Sequence, residues 1–255
     1  MFMLKYFLVN GSDFVERIQK VIAETGYCSR RKAEELIKQG KVCLNGKKIT
    51  QMGIKVNYDD DITIEGNALE LKQDKVYYLI NKPRGVITTT SDEKNRKTVI
   101  DLVKDERRIY PVGRLDYDTT GVLLLTNDGE LTNLLIHPKS NVEKLYIAKI
   151  KGIPTKEELI KLSKGVVIDG YKTSKAKVKL KKINKKNQTS LIEIIIHEGK
   201  NHQIKKMFES IGYEVIKLKR DKFSFLDVSN LKSGEYRQLN PKEVKRLYCE
   251  ANKKR

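Results

Sequence analysis

The chain has 255 residues, with 52 Lys plus Arg against 33 Asp plus Glu, a formal charge of +19, 39% hydrophobic residues and five Pro. This excludes a disordered tail or a collagen-like repeat, and the longest apolar run, 121–125, falls far short of the ~20 residues that span a bilayer. The charge makes a polyanion the first partner to consider, although 40 Lys to 12 Arg is also what a Lys-rich composition produces with no acidic partner at all. Cys28, Cys43 and Cys249 form no CxxC pair, which argues against a disulfide framework or zinc ribbon and fits a reducing cytoplasm.

In chain order, residues 1–14 are either a flexible arm or the product of a start set too early. The second reading, with Val15 at an alternative initiation codon, is favoured because periodic sequence begins only there. Ile18, Val21 and Ile22 recur at helical spacing up to Gly26. Ser29 can cap a second helix that buries Ala33, Leu36 and Ile37 and stops at Gly40. Val42 and Leu44 alternate with polar residues before the tight turn Asn45-Gly46, so 16–50 predicts helix, helix, hairpin. A short strand is expected at 62–64 and a linker at 69–75.

A second unit begins at Val76. Strands are predicted at 76–80, 109–112, 122–126, 146–151, 176–180 and 191–197, and a turn at Asn81-Lys82-Pro83-Arg84-Gly85. Helices are predicted at 130–136, 157–163, 202–211 and 242–249, with Thr155 and Glu158 as a capping box. Strands outnumber helices and hairpin-length connections occur, so the fold class is α+β around a mixed, mainly antiparallel sheet flanked by helices.

The helix after Ser29 opens with Arg30-Arg31-Lys32, three cations where the helix dipole prefers anions. That placement makes sense if phosphates sit at this helix end. The plainer alternative is a solvated basic face. Together with Arg17-Ile18-Gln19-Lys20, Gly26, Gly40, Val42 and Asn45-Gly46, the segment resembles the S4 RNA-binding domain over 15–75. The resemblance implies RNA binding through Arg17, Lys20, Arg30, Arg31 and Lys32 around the cap Ser29, and Lys41 on the hairpin is expected to extend the same RNA-binding patch. It does not imply an enzyme.

In the second unit, Gly113-Arg114-Leu115-Asp116-Tyr117-Asp118-Thr119-Thr120-Gly121 places a polar loop between two glycines, running straight into a buried strand. A carboxylate at the mouth of a strand is presented rigidly, and Arg114 nearby would keep Asp116 ionised. By local pattern alone an Asx-type turn before a strand serves as well, and a glycosidase pair of Asp116 with Asp118 is a distant third reading. The loop, followed by Leu123-Leu124-Leu125-Thr126-Asn127-Asp128-Gly129, resembles the signature of bacterial ribosomal RNA pseudouridine synthases of the RsuA family. Asn81-Lys82-Pro83-Arg84-Gly85, His137-Pro138-Lys139, Lys144-Leu145-Tyr146 and residues 198–208 agree with it.

The resemblance implies a catalytic domain over 76–255 in which Asp116 attacks C1′ or C6 of a flipped-out uridine. Tyr146 would stack on the base and take the C5 proton, and Lys205 would pair with the aspartate where many members carry Arg, exchanging a fork for a point charge. Arg114 would join them, and Lys82, Arg84, Lys200, His202, Gln203 and Lys206 would meet RNA. The implied partner is ribosomal RNA or a precursor particle, with 23S favoured over 16S, bound by a cytoplasmic monomer with no membrane role. Isomerisation involves no redox or phosphoryl step, so no cofactor is expected, and the three His lack metal-ligand spacing, so no metal is expected either. The alternative function is a non-catalytic S4-type RNA-binding or ribosome-assembly protein. The charge itself divides unevenly: residues 14–75 carry +2 and residues 76–255 carry +17. Eight Lys and no acid lie in 171–190, a hairpin that is either a rail for RNA or compositional drift.

Overall fold

The computed structural model describes residues 15–57, 59–69, 73–137 and 140–253, which divide into two units between Asp74 and Lys75. The arm or early start expected at 1–14, part of the linker at 70–72, and Pro138-Lys139 lie outside the described residues.

In the N-terminal unit, strand β1 (Glu16–Arg17) leads into helices α1 (Ile18–Glu24) and α2 (Arg30–Lys38), then β2 (Val42–Leu44), β3 (Lys47–Ile49), β4 (Lys55–Val56), β5 (Ile62–Ile64) and β6 (Asn67–Ala68). Ile18 and Ile22 lie one turn apart on α1, and Ala33, Leu36 and Ile37 share one face of α2. The two stripes pack with Val42, Val56, Ile62 and Ile64 into one small core. Asn45 and Gly46 both have positive φ, 49° and 74°, as the tight hairpin turn between β2 and β3 requires.

The second unit is built on one large sheet. Its elements are β7 (Tyr77–Lys82), β8 (Tyr110–Pro111), β9 (Thr120–Thr126), α3 (Gly129–Ile136), β10 (Lys144–Lys151), α4 (Lys156–Ser163), β11 (Val167–Ile168), β12 (Tyr171–Lys172), β13 (Lys177–Asn184), β14 (Thr189–Ile196), α5 (Gln203–Glu209), β15 (Val215–Phe223), β16 (Leu226–Asp227), β17 (Tyr236–Gln238) and α6 (Pro241–Asn252). The sheet runs β13-β14-β10-β15-β9-β7-β17, and only the β15–β9 junction is parallel. The architecture is α+β with a mixed, mainly antiparallel sheet.

Strand β9 carries an unbroken apolar run, Val122 to Leu125, because both of its faces are buried. Leu123 and Leu125 enter the core on one face of the sheet, while Val122 and Leu124 enter the core on the other. Burying such a strand on both faces is stabilising enough that Leu124→Ala is expected to cost about 2–5 kcal/mol. Its C-terminal end is tied down by Asp128, which is 1% exposed. The Asp128 carboxylate caps α3 and accepts hydrogen bonds from the hydroxyls of Tyr77 and Tyr248.

The sheet departs from the sequence reading at two places. Strand β15, nine residues at the centre of the sheet, was not expected from the sequence, because Lys217, Lys219, Arg220 and Lys222 break the apolar alternation. The turn read at 81–85 is shorter: Asn81 and Lys82 still pair with Val122 and Gly121 as part of β7.

Candidate active site

The loop between Gly113 and Gly121 is fixed mainly through its backbone. Thr88 Oγ1 donates to the Leu115 carbonyl at 2.7 Å, and the Gly85 amide donates to the Tyr117 carbonyl at 2.9 Å. From beneath, Lys82 Nζ donates to the carbonyls of Pro83, Asp116 and Thr119 at 3.1, 3.1 and 3.0 Å. Lys82 is fully buried. Burial pushes its ammonium down to about 8, while Asp116 and Asp118 pull the other way. The three carbonyls also favour the charged form. The loop then enters β9 through Gly121, φ 103°, whose missing side chain matters: a Cβ there would collide with the Arg220 carbonyl of the parallel neighbour β15.

This clamp holds the Asp116 side chain at the rim of a pocket of about 140 Å³ that Arg114, Lys144, Tyr146, His202 and Arg220 also line. Lys205 Nζ lies 3.5 Å from Asp116 Oδ2 and 2.7 Å from Asp118 Oδ1, so one ammonium is shared unequally by two carboxylates. Burial raises the Asp118 carboxyl and the Lys205 hydrogen bond lowers it; the net displacement is downward. His202 Nε2 stands 3.5 Å from Asp116 Oδ1. His202 adopts a left-handed backbone, φ 52°, at the start of α5, a strained conformation that turns the chain in front of the helix. Tyr146, 8% exposed, lies in the floor on β10.

The structure brings Asp116, His202, Tyr146 and Arg114 to one pocket, with Lys205 outside its lining but facing the Asp116 carboxylate, and it makes no ion pair between Arg114 and Asp116 among the described residues. Arg114 is exposed at the rim. Two residues expected at RNA are buried instead. Lys82 spends its donors on backbone carbonyls, as above. Gln203, 4% exposed, donates to Glu198 at 2.6 Å and accepts from the Lys200 amide at 3.0 Å, bracing the loop before α5. Arg84 and Lys200 are exposed, with Lys200 Nζ over the Tyr171 ring at 3.1 Å, and Lys206 pairs with Asp169 at 2.5 Å. Sequence reading missed two further pocket residues, Lys144 and Arg220. Burial, followed by repulsion from Arg220, pushes Lys144 down to about 8.

In the N-terminal unit, Ser29 caps α2 by accepting from the Lys32 amide at 3.1 Å. Arg17, Arg30, Arg31, Lys32 and Lys41 are exposed. Lys32 and Lys41 are engaged with Glu35 and Glu65 at 3.0 and 2.7 Å, and Lys20 pairs with Glu16. Arg17, Arg30 and Arg31 have no ion pair among the described residues. No helix of the described residues is long and apolar enough to cross a membrane.

Comparison with known proteins agrees along both units. The RNA pseudouridylate synthase family matches residues 76–210, and the S4 domain matches residues 16–62. The chain is 55% identical over 234 residues to the ribosomal large subunit pseudouridine synthase B of Bacillus subtilis (strain 168), covering 91% of this chain and 96% of the relative. It is 37% identical over 238 residues to the dual-specificity RNA pseudouridine synthase RluF of Escherichia coli (strain K12), covering 92% and 79%. A crystal structure of a pseudouridylate synthase superposes with a TM-score of 0.65 at 29% identity, covering 91% of this chain and 99% of that one. The chain therefore belongs to the RNA pseudouridylate synthase family, isomerases of uridine in RNA, with an S4 domain preceding the catalytic one.

Proposed function

We propose that this protein converts one uridine of ribosomal RNA, in the 23S molecule, to pseudouridine, acting as a cytoplasmic monomer on the RNA or on a precursor particle. The 55% identity to a ribosomal large subunit enzyme over 91% of the chain supports this substrate over 16S RNA. The observation that carries the chemistry is the Asp116 carboxylate, which lines one pocket with Tyr146 and stands 3.5 Å from both Lys205 Nζ and His202 Nε2. The target base leaves its stack to enter, at a cost of a few kcal/mol that RNA contacts offset. Asp116, beside Lys205, attacks C1′ and displaces N1, the uracil turns, and C5 displaces Asp116 from C1′; by the other route Asp116 adds to C6, the C1′–N1 bond breaks, the uracil turns, C5 bonds to C1′ and Asp116 leaves C6. By either route the C5 proton passes to Tyr146, and N1 ends protonated. Arg17, Lys20, Arg30, Arg31 and Lys41 hold RNA phosphates through the S4 domain, and Arg84, Arg114 and Lys200 meet RNA at the pocket rim.

Ribosomal RNA carrying tritium at C5 of uridine tests the reaction. Isomerisation must release that hydrogen to water, and site-resolved pseudouridine mapping then identifies the position. Binding without release would leave a non-catalytic S4-type assembly protein.

A further inference from the structure

We propose that Arg220 and Lys144 form a donor site for the uracil carbonyl oxygen that gathers negative charge as Asp116 reacts. The inference rests on the reaction proposed above and assigns it two residues. Arg220 is 2% exposed. Its Nε donates to the Val122 carbonyl at 2.7 Å, but its Nη2 is buried with no hydrogen-bond partner among the described residues. An unpaired buried donor on a charged group is costly, and such groups persist where a ligand completes them.

The sheet register says where this donor sits. Lys144 and Tyr146 are two residues apart on β10 and so share a face. Arg220 on β15 is the direct cross-strand partner of Tyr146. All three line the pocket at whose rim Asp116 stands. Lys144 Nζ donates to the carbonyl of His197 at 2.8 Å and, at 3.4 Å, to that of Val142. Neither Lys144 nor Arg220 has a carboxylate ion pair among the described residues, and the two cations repel each other. An oxyanion between them relieves that repulsion. Leu115, Ile196, Leu218 and Phe223 supply apolar wall, which suits the faces of a flat base better than a phosphate.

The chemistry calls for such a site by either route. Attack at C1′ breaks the C1′–N1 bond and leaves its electron pair on N1, delocalised over O2 and O4. Addition at C6 pushes the C5–C6 π pair toward O4 as an enolate. A donor aimed there binds the charged species more tightly than neutral uridine, which is what accelerates a step.

The test pairs a protein change with an atomic change in the substrate. RNAs carrying 4-thiouridine or 2-thiouridine at the target are turned over in single-turnover reactions by the unaltered enzyme, Arg220→Gln and Lys144→Met, with product scored by mass spectrometry. Arg220→Gln is expected to slow the oxygen substrate about 10²–10³-fold, the usual cost of one oxyanion donor, with RNA Kd changed less than about threefold. Sulphur is a poor acceptor, so it slows the unaltered enzyme, and that penalty shrinks toward unity once the donor is gone. If Arg220→Gln is found unfolded by its melting transition, Lys144→Met carries the same cycle. An equal sulphur penalty in enzyme and variants at both O4 and O2 overturns the site, as does coupling of the variants to a methylphosphonate at the target nucleotide instead. Tritium release by the unaltered enzyme is scored separately. Its absence overturns the proposed reaction and this site with it, whereas release without sulphur coupling overturns the site alone.

Discussion

The two units use cations in opposite ways. In the N-terminal unit Arg17, Arg30 and Arg31 stand in solvent in no ion pair among the described residues, on a unit whose net charge is only +2. In the catalytic unit, with +17, three cations around the Asp116 loop and its pocket are withdrawn from solvent: Lys82 and Arg220 are buried, and Lys82, Lys144 and Arg220 are each bonded to backbone carbonyls. Exposed cations give up little to meet a phosphate, so they suit affinity. Buried cations are costly to desolvate, and are worth keeping only where they fix geometry or meet developing charge. What a cation is bonded to therefore tells more about its role than the charge count of its neighbourhood.

That contrast breaks most visibly if rate and affinity fail to separate. Asp116→Asn is expected to lower single-turnover isomerisation by about 10⁴-fold or more, measured by tritium release, while RNA Kd moves less than about threefold. Lys205→Ala follows at about 10²-fold, and Lys205→Arg recovers part of the loss because a fork can reach both Asp116 and Asp118.

Lys82 sharpens the buried side. Lys82→Met leaves three carbonyls without their donor and is expected to cost about 2–4 kcal/mol in denaturant unfolding, with turnover falling too as the loop loosens. The pH dependence has a definite sign. The folded-state value of about 8 lies below the ordinary 10.5. Below pH 8 both states hold the proton. Between 8 and 10.5 the unfolded chain holds more protons, so stability rises with pH. Turnover falls over the same window, since the clamp loses its charge. Lys144, also near 8, adds to the stability slope, so Lys82→Met reduces that slope without abolishing it. A turnover profile that stays flat through pH 9 would remove the clamp from the mechanism.

On the exposed side, Arg30→Ala with Arg31→Ala is expected to weaken RNA binding about tenfold at moderate salt and flatten the salt slope by about 1.4, roughly 0.7 for each lost phosphate contact on single-stranded RNA. Saturating turnover stays unchanged. A fall in saturating turnover would mean that these arginines reach the chemistry.

The legibility of the sequence follows the same division. Local features were readable: the stripes of α1 and α2, the Asn45-Gly46 turn, the capping box at Thr155, and the apolar run of β9 between its glycine and Asp128. Interactions between distant residues were not. Lys82 looks like part of a basic turn because its three carbonyl partners include two that lie 34 and 37 residues away. Strand β15 looks like a charge run because a strand that lines an ionic pocket must carry a cation where a core strand carries Leu, and Arg220 is that cation. The wish to keep charge at the surface hides the strand at the centre of the sheet.

The lysine hairpin gives the smallest expected effect and the finest discrimination. β13 is an edge strand, bonded only to β14, with Lys177, Lys179, Lys181 and Lys182 exposed along it. Lys177 pairs with Glu143 at 2.9 Å and Lys181 with Glu193 at 3.2 Å, so part of this charge is already answered within the unit. An edge of unpaired backbone groups invites another strand, and lysines along it are a common defence. Changing Lys175, Lys177 and Lys179 to Gln is therefore expected to alter the salt slope of RNA binding by less than about 0.7, while concentration-dependent association rises in light scattering. A slope reduced by about 2 with no association would make the hairpin a third RNA surface. It would also move the exposed-cation pattern of the N-terminal unit into the catalytic one.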